Sequence, residues 1–130
     1  LKGDVKENPR RGFLYWSDDG DLMALRVDQW KVTFMEQRAH AMNVWREPLV
    51  PLRAPKMFNL RSDPFERGDE DGLMFYDKWM IDRAFLLVPA QQIVGEFIAT
   101  FKEYPPSQKV GSFSLDQVLE KLQQSGSSGK

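Results

Sequence analysis

The stretch from residue 13 to residue 36 constrains this chain more than any other. Phe13 to Trp16 is continuously apolar and aromatic. Ser17-Asp18-Asp19-Gly20-Asp21 follows with turn chemistry, and Gly20 is free to take a positive φ. Leu22 to Val27 is a second apolar run and Asp28-Gln29 a two-residue gap. Trp30, Val32 and Phe34 then alternate with Lys31, Thr33 and Met35. Parallel neighbours need a crossover of roughly a dozen residues, so connections this short force antiparallel pairing. The stretch is expected to form a three-stranded meander.

Alternation places Phe13 and Tyr15 on one face of that meander and Leu14 and Trp16 on the other. Both faces are therefore apolar at this end, and both need cover. Gln37 to Lys56, with Pro48, Pro51, Pro55 and Trp45, reads as a loop. Met57-Phe58-Asn59-Leu60 reads as a fourth strand. In Asp63-Pro64-Phe65-Glu66, Asp63 fits a helix N-cap, Pro64 the first helical position and Glu66 the third, as in a capping box. Arg67 to Gly72 reads as a charged turn.

The second half reads as helical. Leu73, Tyr76, Trp79, Met80 and Arg83 mark one face of a helix from about 72 to 83. Ala90, Ile93, Val94, Phe97, Ile98 and Phe101 form one broad apolar stripe at helical spacing, with Pro89 able to start that helix and Pro105-Pro106 bound to end it. Ser114-Leu115-Asp116-Gln117 signals a last short helix. Strands first and helices after give an α+β class: a small antiparallel sheet of about four strands packed against C-terminal helices. Residues 1–12 read as an entry arm, 13–124 as a single unit and 125–130 as a flexible tail. These helices are too few to cover both faces of the sheet, which points to a missing partner domain. The chain opens on Leu1, without an initiator methionine, and reads as a piece of a longer protein.

Composition narrows the chemistry. In 130 residues there is no cysteine and one histidine, and the formal charge is −1. Disulfides, thiolate metal sites and cysteine nucleophiles are excluded, and so is a site built on several histidines. A balance so near zero gives no reason to expect nucleic acid or an anionic membrane as partner. The longest strongly apolar run, Ala84 to Ala90, falls short of the roughly 18 residues that span a bilayer. Without cysteines, an oxidising compartment cannot be told from a reducing one, so localisation stays open, a periplasmic or secreted parent among the options.

No constellation identifies an active site. Asp18, Asp19 and Asp21 crowd one turn, but lack the alternating ligands and terminal glutamate of a calcium loop. Asp69-Glu70-Asp71 reads as a solvated charge run or as a complement to a helix N-terminus. Arg46, Arg53, Arg61 and Arg67 suit ion pairs better than a converged anion site. The four tryptophans suit burial in the core or at an interface. Phosphate-binding glycine loops and the Gly-x-Ser-x-Gly elbow are absent from the sequence. If any residues contact a substrate, the 37–46 loop is the candidate, with His40 and Trp45 as its cleft residues.

Four stretches carry a family resemblance: Phe13 to Arg26, Trp30-Lys31-Val32-Thr33-Phe34, Met57 to Arg67, and Phe101 to Pro106. Their order resembles the C-terminal end of an arylsulfatase, from about residue 10 to 122. The most specific marker is Asn59-Leu60-Arg61-Ser62-Asp63-Pro64-Phe65-Glu66 after the Trp30-Lys31 strand. The resemblance implies a two-part enzyme. A large N-terminal α/β domain would carry a formylglycine made from a Cys/Ser-x-Pro-x-Arg motif and a calcium held by aspartates and asparagine. The C-terminal part would be a four-stranded antiparallel sheet with helices. This chain departs from that pattern: Ser62-Asp63-Pro64-Phe65-Glu66 has Glu66 where the motif requires arginine. No catalytic or metal residue carries over, and no cofactor is expected in this chain.

Two functions follow. One is a catalytically silent C-terminal subdomain that packs on the N-terminal sulfatase catalytic domain of its parent, shapes the substrate cleft, and dimerises through its exposed face when isolated. The other is a stand-alone module for sulfated or anionic ligands, built on His40, Trp45 and the arginines.

Overall fold

The computed structural model describes residues 12–72, 74–107 and 111. The final helix expected over Ser114 to Leu122, most of the entry arm and the tail lie outside the described residues.

Four strands form one antiparallel sheet in sequence order: β1 (Phe13–Trp16), β2 (Leu22–Val27), β3 (Trp30–Glu36) and β4 (Val50–Asn59). The expected meander is present. Gly20 takes φ 88°, and Ser17 Oγ accepts the amides of Asp19 and Asp21, which closes the first turn. Asp28 takes φ 52° in the two-residue turn between the paired Val27 and Trp30, a conformation that aspartate tolerates. Register aligns Leu14, Leu25, Val32 and Met57 in one row across the sheet. Leu25, Val32 and Met57, with Ala90, form the buried cluster on this face.

The segment read as a loop to Lys56 is corrected: β4 begins at Val50 and includes Pro51 and Pro55. Both prolines are tolerated because β4 is an edge strand, and residues 52–55 bulge out opposite Phe34 alone.

The capping box at Asp63 is corrected as well. No helix starts at Pro64; residues 63–66 form a turn, with Glu66 at φ 56°. Asp63 instead reaches forward. Its carboxylate oxygens accept the amides of Arg67 at 3.1 Å and Gly68 at 2.8 Å, which caps the short helix α1 (Gly68–Asp71). Helix α2 (Met74–Ile81) is shorter than expected, and Tyr76, Trp79, Met80 and Arg83 are half-buried. Trp79 stacks on Trp30, and Tyr76 packs on Phe58 around the β4 edge.

Helix α3 (Leu87–Ala99) starts two residues before Pro89, which sits in its first turn where no amide is needed. A 3-10 turn precedes α3 at Ala84–Leu86, and another follows at Thr100–Lys102. Together these make a helical run of 19 residues, Ala84–Lys102, long and apolar enough by length and composition to cross a membrane. The apolar run is thus longer than Ala84 to Ala90 because Ile93, Val94, Phe97 and Ile98 continue it. One side of it, with Leu86, Leu87, Ile93 and Val94, packs on the sheet core. The other side carries Phe85 and Val88 in the exposed state. The same side continues with the polar pair Gln92 and Glu96, 3.0 Å apart.

The second sheet face buries Ala24 and Phe58 and is crossed by ion pairs. Lys31 Nζ lies 2.7 Å from both oxygens of Glu66, and over the Tyr15 ring at 5.0 Å. Lys56 Nζ bridges Glu36 at 2.5 Å and Asp69 at 2.6 Å. The connection between β4 and α2 therefore folds back over this face.

Candidate functional site

The hairpin between β3 and β4 closes at the pair Glu36 and Val50, and residues 37–49 project beyond it. One side chain staples this loop. Gln37 Nε2 donates to the carbonyls of Val44 at 3.3 Å and Glu47 at 3.0 Å, and its Oε1 accepts the amide of Ala39 at 2.9 Å. Inside the staple, Ala41–Trp45 forms a 3-10 turn, opened by Ala41 at φ 52°. A left-handed alanine costs roughly 1 kcal/mol, so the loop holds a shape that its own sequence would not choose.

The shape presents apolar side chains to solvent. Trp45 is 82% exposed and Met42 68%. The other tryptophans are packed: Trp30 on Trp79, and Trp16 against Phe97 and Phe101. His40 is exposed at the start of the 3-10 turn, where its carbonyl accepts the amide of Asn43 at 3.2 Å. Among the described residues its imidazole forms no hydrogen bond or ion pair, so no partner orients it as a base. The loop thus brings His40 and Trp45 onto one projection, with the geometry of a contact surface and not that of a catalytic pair.

Beneath the loop lies an ionic chain. Arg38 Nε contacts Glu36 at 2.7 Å, Glu36 contacts Lys56, and Lys56 contacts Asp69. The bond from Lys56, and then that from Arg38, holds the Glu36 carboxyl below its ordinary value despite partial burial. Burial pulls Lys56 down, but its bonds to Asp69 and Glu36 outweigh this and raise it. The chain ties the base of the loop to α1. Of the acidic run, Asp69 is drawn inward while Asp71 pairs at the surface with Arg67.

The arginines occupy separate elements: Arg46 closes the 3-10 turn, Arg53 lies in β4, and Arg61 and Arg67 lie in the connection after it. Arg67 pairs with Asp71, as expected of arginine. Among the described residues, no group of three or more acidic or histidine side chains could hold a metal ion. Sequence reasoning missed Gln37, Glu36 and Lys56. A glutamine directly after a strand and before a long loop was the available signal, but its acceptors are seven and ten residues away and their convergence is tertiary.

No family model, no curated protein and no solved structure matches the chain.

Proposed function

We propose that this chain is the C-terminal subdomain of an arylsulfatase-like sulfuric ester hydrolase, catalytically silent alone, that packs on an N-terminal catalytic domain. The observation that carries the reading is exposed apolar bulk. Trp45, Phe65, Met74, Phe75, Ile81, Phe85 and Val88 are all about two-thirds or more exposed. Burying these side chains is what a covering partner domain would do. The stapled loop, with His40 and Trp45, would stand at the rim of the catalytic domain's cleft. Formylglycine and calcium would belong to that domain and not to this chain.

The resemblance also has a physical coherence. Its two most specific stretches, Trp30-Lys31 and Asp63-Pro64-Phe65-Glu66, meet in the Lys31–Glu66 ion pair, and Asp63 caps α1. The marker residues therefore do structural work in this sheet, as residues of a packing subdomain would.

The coding sequence upstream of Leu1 tests this reading. It is expected to contain a Cys/Ser-x-Pro-x-Arg motif several hundred residues earlier. A reading frame without that motif would rule the proposal out.

A further inference from the structure

Three large apolar side chains stand in water where α2 passes into α3: Ile81, Phe85 and Val88, each more than two-thirds exposed. The inward side of α3 is committed to the sheet, with Ala90 in the buried cluster and Leu87 and Val94 packed against it. The outward side turns polar one turn after Val88, where Gln92 Nε2 donates to Glu96 Oε1 at 3.0 Å. The apolar patch is therefore bounded along the helix. A bilayer that took in this side would have to bury a carboxylate with it, at high cost. A protein surface with an apolar centre and a polar rim matches a patch of this kind.

The chain reaches the sheet on the flank of the same helix. Gly12 lines one groove with Ile93, Glu96 and Phe97 of α3. Its backbone is fitted closely to β2, since a Cβ there would stand 3.0 Å from the Arg26 carbonyl oxygen and 3.2 Å from Val27 Cγ2. Whatever precedes Gly12 is thus attached beside α3. Val88 lies roughly 12 Å along the helix from Glu96. A domain tethered at this point meets the patch at a high effective concentration.

From the bounded patch and the entry point beside it we propose that Ile81, Phe85 and Val88 are the seat of the upstream catalytic domain, with Gln92 and Glu96 at the polar rim of the contact. This inference rests on the reading of the chain as the C-terminal subdomain of a longer enzyme and names the surface by which it docks. It leaves the 41–45 turn free to stand at the cleft.

The 130-residue chain has no cysteine, so a single introduced cysteine reports its own exposure. Val88→Cys is alkylated with iodoacetamide in the chain alone, at submicromolar concentration, and in the same chain expressed with the reading frame that precedes it. The labelled peptide is followed by mass spectrometry. Alkylation at position 88 is expected to be at least about tenfold slower in the longer protein, while the exposed Lys102→Cys changes less than about twofold. Phe85→Cys carries the test if Val88→Cys keeps the longer protein from folding. Equal rates in the two proteins would overturn the seat. So would slowing of the chain alone by phosphatidylcholine vesicles, or by its own rising concentration, with no slowing in the longer protein; these outcomes give the face to lipid or to a second copy. The two readings fail separately. A preceding frame without the Cys/Ser-x-Pro-x-Arg motif defeats the sulfatase assignment, whereas the labelling reports whether the preceding part covers α3 whatever its chemistry.

Discussion

Lys31 Nζ lies 2.7 Å from each carboxylate oxygen of Glu66, joining β3 to a turn 35 residues later. Both side chains are partly buried, at 17% and 32% exposure. The pair holds Glu66 in its left-handed backbone conformation and pins the β4–α2 connection over the sheet. Removing the carboxylate leaves a half-buried ammonium with no anion. Glu66→Ala is expected to cost about 1–2 kcal/mol, discounted from a fully buried charged bond for solvent screening. A double-mutant cycle with Lys31→Met, read by urea denaturation, should return a coupling near 1 kcal/mol. A coupling of zero would mean that the contact contributes nothing to folding.

Tyr76 satisfies both backbone groups of one residue on the open edge of β4. Its hydroxyl donates to the Met57 carbonyl at 3.0 Å and accepts the Met57 amide at 3.1 Å, and Met57 is fully buried. Tyr76→Phe removes both bonds and leaves a buried donor and acceptor unsatisfied. The expected loss is about 2 kcal/mol in urea, with no change in the slope of the transition. A loss under about 0.5 kcal/mol would show that water replaces the hydroxyl at this edge.

The ionic chain under the loop predicts a pH profile. Glu36 titrates below its ordinary 4.5 in the fold, chiefly through Lys56, so its contribution is present above that pH and is lost as pH falls through the lowered value. Lys56 is raised above its ordinary 10.5, the bonds to Asp69 and Glu36 outweighing burial, so its contribution is present below that pH and is lost as pH rises through the raised value. Glu36→Gln should flatten the acid limb of a urea-midpoint profile. An acid limb of unchanged steepness would assign the acid sensitivity to other carboxylates.

The exposed side of the 84–102 helix predicts self-association of the isolated chain. Phe85 and Val88 stand in water there, at 68% and 69% exposure. Sedimentation over a concentration series should show a monomer–dimer equilibrium that Phe85→Glu and Val88→Glu shift to monomer. A wild-type chain that stays monomeric at high concentration would contradict this.

Much of the sheet was legible because its information is local. Strands β1 to β3 announce themselves through alternation, Gly20 and a two-residue gap, and their register follows from the turns. The first half of β4 was hidden by Pro51 and Pro55, which argue against a strand unless it is known to lie at an edge, and that is a property of the whole sheet. Asp63 was legible as a cap but not its target, since Pro64 and Glu66 fit a nearer helix equally well. Of the stripe Ala90 to Phe101, Ala90, Ile93 and Val94 pack on the sheet core as expected, whereas Ile98 is exposed. The ring contacts of Phe97 and Phe101 with Trp16 were not legible, because some eighty residues separate Trp16 from them in sequence. At the candidate site, Trp45 and His40 could be read as loop residues. That Gln37 staples them outward follows only from bonds made in three dimensions.

The most direct test of the central claim is hydrolysis of an aryl sulfate with calcium present, measured for the 130-residue chain alone and for the same chain expressed with the reading frame that precedes it. The account predicts turnover by the longer protein and none by the chain alone. Turnover by a clean preparation of the chain alone, or none by either protein, would contradict it.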